Sequence, residues 1–198
     1  MSFGRNNEIR AIKMQGGDYK IFAPDIKQHH VINHITGDEM PEERNVLIES
    51  ARIARGDISP MSSFKADEFD ALLMPGGFGA AKNLSDFAFK GAEVGVHIQV
   101  KDAIQEMHRM GKPIGALCIA PALALTLDNV DLTIGNDKGT IEALEALSAH
   151  HLETNHGEVV HDQEENVFTT PCYMLDANIV EIAAGAENIV KAMMESME

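Results

Sequence analysis

Short apolar runs closed by proline or glycine alternate along this chain with stretches in which apolar residues recur every three or four positions. Residues 19–23 before Pro24, 69–74 before Pro75-Gly76-Gly77, 113–118, 130–134 before Gly135, and 167–170 before Pro171 read as buried strands. Helical spacing appears at Val46, Leu47, Ser50, Ala51 and Ala54, and again at Val96, Val100, Ala103, Ile104 and Met107. It continues over residues 140–150 and through Ile179, Ile182, Ala183, Ala186, Ile189, Val190 and Met193. Strands alternating with helices predict an α/β fold with a mostly parallel sheet and helices on both faces. Ligands of such sheets gather at the carboxyl ends of the strands, where Gly76-Gly77 and Cys118 both fall.

The amino terminus breaks the pattern. Glu8-Ile9-Arg10-Ala11-Ile12-Lys13-Met14 precedes Gly16-Gly17 where a Val/Ile-rich strand is expected, and it reads either as a short helix or as a poor strand. No Pro/Gly/Ser-rich linker divides the 198 residues, so a single domain over 1–198 is expected, with an atypical or truncated first element at about 1–18.

Composition narrows the function classes. A hydrophobic fraction of 44% and a charged fraction of 24% are those of a globular protein, and no apolar run approaches the roughly 18 residues of a membrane span. No secretory signal is legible at the start, so the cytoplasm is the expected location. Sixteen basic against 31 acidic residues give a formal charge of -15, which argues against nucleic acid and membrane partners. The nine histidines show no helical HxxxH or HExxH arrangement; His30 and His34 stand four apart without a helical signal between them, and no metal site is predicted. His156-Gly157-Glu158 has the form of an amidotransferase His-x-Glu pair, but it lies in a polar stretch, 155–165, that reads as a hairpin turn. His150 or His151 is a candidate to assist a substrate carbonyl, or equally a cation at a helix end.

Gly115-Ala116-Leu117-Cys118-Ile119-Ala120-Pro121-Ala122 carries the most chemistry. The strand ends at Cys118, and Pro121 suits the first turn of a following helix. A thiol near a helix amino terminus is expected to have a lowered pKa and to act as a nucleophile. The competing reading is a small apolar residue capping a buried strand. The loop Pro75-Gly76-Gly77-Phe78-Gly79 brings backbone N–H groups that, with that of Ile119, make a candidate oxyanion hole, or else form an ordinary tight turn. Glu8 is a candidate acid/base if the amino terminus folds over the cysteine, and otherwise a solvated charge. Cys172, followed by Tyr173, Met174 and Leu175, reads as a packing residue with a lesser claim to touch substrate.

These residues resemble a known family. Phe22-Ala23-Pro24-Asp25, the block from Arg44 to Gly56, Pro75-Gly76-Gly77-Phe78-Gly79-Ala80-Ala81-Lys82-Asn83-Leu84-Ser85, Gly111-Lys112-Pro113-Ile114-Gly115, Cys118-Ile119-Ala120-Pro121 and Thr169-Thr170-Pro171 are similar to the ElbB-type glyoxalases. Those belong to the PfpI-like, class I glutamine-amidotransferase-like superfamily. The resemblance implies a flavodoxin-like sandwich, Cys118 as nucleophile, Glu8 as the carboxylate that contacts it, and conversion of glyoxal, with other small α-oxoaldehydes, to the hydroxy acid without a metal or organic cofactor. It also implies a homodimer acting on a small aldehyde. The chain departs from the pattern at Met1 to Asn7, which replace the first strand and its glycine loop, and at Arg10, where relatives carry histidine. Ile119 stands where PfpI-type proteases place histidine, which counts against proteolysis. A non-catalytic redox-sensing or regulatory protein using the same cysteine is the alternative.

Overall fold

The structure is a computed structural model that describes residues 3–124 and 126–198, with side chains described from Asn6 onward except at position 125. Met1 and Ser2, the start of the atypical first element, lie outside the described residues. In chain order the helices are α1 (Phe3–Met14), α2 (Val46–Ala54), α3 (Phe87–Lys90), α4 (Ile98–Arg109), α5 (Pro121–Ala124), α6 (Lys138–Glu145) and α7 (Ile179–Glu195). The strands are β1 (Phe22–Ala23), β2 (Ser59–Pro60), β3 (Leu72–Met74), β4 (Ile114–Leu117), β5 (Asp131–Leu132), β6 (His150–His151), β7 (Val160–Asp162) and β8 (Val167–Thr170). They form two compact units, one from residues up to 19 together with 65–198, the other from residues 20–64.

In the larger unit a four-stranded sheet runs β3-β4-β8-β7. The first three strands are parallel, with Leu72 opposite Ile114 and Leu117 opposite Thr170, while β7 is antiparallel to β8. This is the mostly parallel α/β sheet expected. Every residue of β4 and of β8 is buried, as strands covered on both faces must be.

Helix α7 covers one face. Asn178 caps it by accepting hydrogen bonds from the Val180 and Glu181 N–H groups, and the Glu181 carboxylate accepts one from the Asn178 N–H, a capping box. Ile182, Ala186, Ile189, Val190 and Met193 then pack with Leu117 and Phe168 in one apolar cluster. Each large side chain so buried contributes about 1.5–3 kcal/mol. Gly115 permits the close approach, since a Cβ there would stand 2.4 Å from Met193 Sδ and 2.5 Å from Leu73 Cδ1.

The ambiguous amino-terminal stretch is helix. Glu8, Ala11 and Ile12 share one face of α1; Ala11 is fully buried in the α7 cluster with Ile12 packed against it, and Arg10 pairs with Glu187 of α7 at 2.6 Å. The Gly111-Lys112-Pro113 block ends α4 and anchors two strands. Gly111, at φ 68°, donates to His108 O, Lys112 N–H donates to Met107 O, and Lys112 Nζ donates to the carbonyls of Ala66 and Phe69.

Two expectations change. The helix expected over 140–150 is α6, capped by Asp137 and ending at Glu145; Ser148 then takes φ 67° and His150-His151 pairs with β5 instead. The polar stretch 155–165 holds a strand, β7, whose buried positions are Val160 and Asp162, so no apolar alternation announces it. Asp162 replaces hydrophobicity with hydrogen bonds. Its Oδ1 accepts from the N–H groups of Glu164 and Glu165, each at 3.0 Å, and its Oδ2 from Asp131 N–H at 2.7 Å, stitching the hairpin to β5.

The smaller unit pairs β1 with β2 in parallel and caps α2 with Asn45, whose Oδ1 takes the Ile48 N–H while its Nδ2 donates to Asp25 at 2.7 Å. Arg55 at φ 55° and Gly56 at φ 87° close that helix. No helix among the described residues is long and apolar enough to cross a membrane.

Removing the Asp162 carboxylate takes the acceptor from three part-buried backbone donors, those of Glu164 and Glu165 on turn residues that water can reach. Asp162→Ala is therefore expected to lower the unfolding free energy in urea by about 1–3 kcal/mol, and Asp162→Asn, which keeps one acceptor oxygen, by clearly less.

Candidate functional site

Cys118 follows the last residue of β4, and its N–H still donates to Thr170 O of the neighbouring strand at 2.9 Å. Its φ of 61° is left-handed, a conformation that costs a non-glycine residue about 1–3 kcal/mol. The turn is held by that bond and by Ala120 N–H to Leu117 O at 3.0 Å. It lifts the thiol off the end of the sheet.

Gly76, at the end of β3, lies flush against the cysteine. A Cβ there would come within 2.5 Å of both Cys118 Cβ and Leu117 O, and 3.2 Å of Sγ, so no side chain fits. Its neighbour Gly77 takes φ 89°, and the N–H groups of Gly77, Ile119 and Tyr173 converge on Sγ. Gly77 and Ile119 thus bring the donors read from their sequence, whereas Gly76 contributes the space its missing side chain leaves. Tyr173 N–H is a donor the sequence reading missed. The signal available was Pro171, which ends the adjoining strand and starts the turn Cys172–Met174.

The thiol pKa corrects the sequence expectation. Burial pushes Cys118 up, the three N–H groups pull it down, and the Glu8 charge adds to the rise, leaving it above the ordinary thiol value. The helix after Cys118 is the short α5, Pro121–Ala124, and desolvation is the largest influence on the thiol.

Glu8 is buried. It sits on the α7-facing side of α1, 6% exposed, and its charge acts on both Cys118 and Cys172. The reading of Glu8 as a solvated surface charge is thereby excluded. Cys172, at φ 45°, is buried in the α7 cluster as the packing reading required, yet it also belongs to the site. Burial, then Glu8, then Cys118 push its thiol up to about 12.

The histidines take structural posts. His156 is in an exposed turn in which Glu158 accepts the Asn155 N–H. His151 Nε2 accepts the Ile134 N–H at 3.2 Å, which puts the proton of the neutral ring on Nδ1, and burial lowers its pKa. His150 pairs with Asp131 across β5 and β6. Thr169 and Thr170 are fully buried; Thr169 Oγ1 accepts the Thr133 N–H and Thr170 Oγ1 donates to Glu158 O. Lys82 lies over the exposed ring of Phe78 at 4.9 Å, a cationic aromatic lip beside the Gly77 loop.

A parallel α/β sheet, a cysteine in a left-handed turn at a strand end and a glycine loop pressed against it define a class I glutamine-amidotransferase-like protein. The chain belongs to this family. It is 43% identical over 191 residues to the human mitochondrial glutamine amidotransferase-like class 1 domain-containing protein 3, covering 91% of this chain and 71% of that protein. It is 42% identical to the mitochondrial ES1 protein homolog of Rattus norvegicus, covering 91% and 72%. Among solved structures, an isoprenoid biosynthesis protein with an amidotransferase-like domain from Ehrlichia chaffeensis superposes with a TM-score of 0.91 at 29% identity, over 99% of this chain and 91% of that one. A ThiJ/PfpI domain protein from Brachyspira murdochii, at a TM-score of 0.59 and 14% identity over 99% and 90%, shares the fold. No family model matches the chain.

Glu8→Gln removes a charge that raises the Cys118 pKa, so the midpoint of the pH dependence of iodoacetamide alkylation is expected to move to lower pH. An unchanged or higher midpoint would place the Glu8 charge outside the thiol's titration.

Proposed function

We propose that the protein is an ElbB-type, cofactor-independent glyoxalase that converts glyoxal, and other small α-oxoaldehydes, to the hydroxy acid through Cys118. The observation that carries this reading is the convergence on one sulfur of three backbone N–H donors and the charge of a buried carboxylate. The blocks shared with ElbB-type proteins support it.

An ionised thiol and an ionised Glu8 repel each other, so the pair favours holding one proton between them. Moving that proton from Cys118 to Glu8 leaves a thiolate facing three N–H groups with no opposing charge. The thiolate adds to one aldehyde carbon, and the new oxyanion, two bonds from sulfur, falls to the same donors and gains the Glu8 proton as a hemithioacetal. Glu8, again a carboxylate, then removes the hydrogen on that carbon and returns it to the neighbouring carbon while the hydroxyl proton passes to the second oxygen, leaving a glycolyl thioester. Water hydrolyses the thioester, giving glycolate and restoring the thiol.

The half-buried cysteine and the close Gly76 wall favour a small electrophile, and glyoxal is the smallest dicarbonyl. Glutamine or peptide hydrolysis is disfavoured because Ile119 and the exposed His156 supply no base to the sulfur.

Glycolate formation from glyoxal is expected in the wild type and at the buffer rate in Cys118→Ser; equal rates in the two proteins would defeat the proposal. Glu8→Gln is expected to lose about a hundredfold or more in turnover, the range for a general acid/base, although its thiol ionises more readily.

A further inference from the structure

The glyoxalase reading assigns nothing to the second thiol, and the geometry around it is specific. Strands β4 and β8 are parallel neighbours with Leu117 opposite Thr170, so Cys118 and Cys172 leave the sheet one and two residues past the same register point. Both backbones turn left-handed there, at φ 61° and 45°, where continued extension would carry the side chains apart. The Cys118 N–H reaches across to Thr170 O at 2.9 Å, and the N–H of Tyr173, the next residue after Cys172, reaches back to Cys118 Sγ. Cys172 is bonded directly to that nitrogen, so it adjoins the Cys118 sulfur. Cys118 also packs on the apolar cluster that contains Cys172.

We propose that Cys118 and Cys172 form an intramolecular disulfide after a hydroperoxide oxidises Cys118, with Cys172 as the resolving thiol. In the first step Cys118 sulfur attacks the peroxide, the O–O bond breaks, and one sulfenic acid and one alcohol, or water from hydrogen peroxide, are formed. In the second, Cys172 sulfur attacks Cys118 sulfur and the S–O bond breaks. The departing hydroxide leaves as water with the proton given up by Cys172, for which Glu8, acting on both thiols, is the carrier. The two sulfurs together lose two electrons, and the peroxide gains them.

The order of events follows from burial. Cys118 is half-buried and open to a small oxidant, whereas Cys172 is buried and reachable chiefly by its neighbour. Both are thiols in the resting protein. The bond removes the sulfur that aldehyde addition needs, so it would silence the site reversibly. The inference does not rest on the glyoxalase reading and holds for any chemistry at Cys118.

The test treats the full chain with hydrogen peroxide, blocks remaining thiols with iodoacetamide under denaturing conditions, and maps peptides by mass spectrometry. Expected is a Cys118–Cys172 cross-linked peptide, two hydrogens lighter than its parts and released by dithiothreitol, in monomeric protein. Cys118→Ser should lack it. Cys172→Ala, kept only if its far-UV circular dichroism matches wild type, should instead accumulate sulfinate at Cys118. Wild-type protein that yields Cys118 sulfinate without the cross-link, or a cross-link only between molecules, would overturn the proposal whatever the variants do.

Discussion

The backbone hydrogen bond from Cys118 to Thr170 holds this site together. It extends the β4-β8 ladder one residue past the point where the chain leaves the sheet, and so fixes the cysteine while its φ is left-handed. A left-handed non-glycine residue relaxes unless neighbours over-determine it. Here the ladder bond holds one side, the Ala120 to Leu117 turn the other, and the bare Cα of Gly76 occupies the only depth the cysteine leaves it. Substitution at Gly76 therefore acts on the same geometry as substitution at Cys118, although Gly76 presents no reactive atom.

The electrostatics follow from that placement. A sulfur held low enough to meet three N–H groups is also low enough to be desolvated, and desolvation is the larger effect. Helix-start arguments alone point the other way, toward an acidic thiol. The resting site is thus a protonated thiol met by three N–H donors, with the Glu8 charge adding to the rise in its pKa.

Much of the scaffold was legible because β4 and β8 are apolar enough to be read as buried strands and the stretches of α4 and α7 carry apolar residues every three or four positions. The turn at Cys118 and the Gly77 and Ile119 donors were legible as well, since a glycine pair and a strand-ending cysteine constrain backbone. What stayed hidden depends on pairing across sequence distance. Strand β7 shows little apolar alternation because Asp162 is held by hydrogen bonds, and His150-His151 joins a strand only because β5 lies beside it. The Tyr173 donor and the place of Cys172 arise from the β4-β8 register, which no local pattern encodes.

Helix α1 shows how a weak local signal becomes part of a defined site. Twelve residues are marginal as an isolated helix, and this stretch carries Asn6, Asn7 and Ile9, which are middling helix formers. Its stability must come from packing, and Ala11 and Ile12 provide it against α7. The same face carries Glu8 one turn earlier, so the contact that makes the segment helical also buries the carboxylate beside the thiols. Helix formation and site assembly are then one event, because α1 cannot dock through Ala11 without delivering Glu8. This coupling explains why the segment read equally well as helix or strand in isolation: the residue that settles the matter is its partner, α7, nearly the whole chain away.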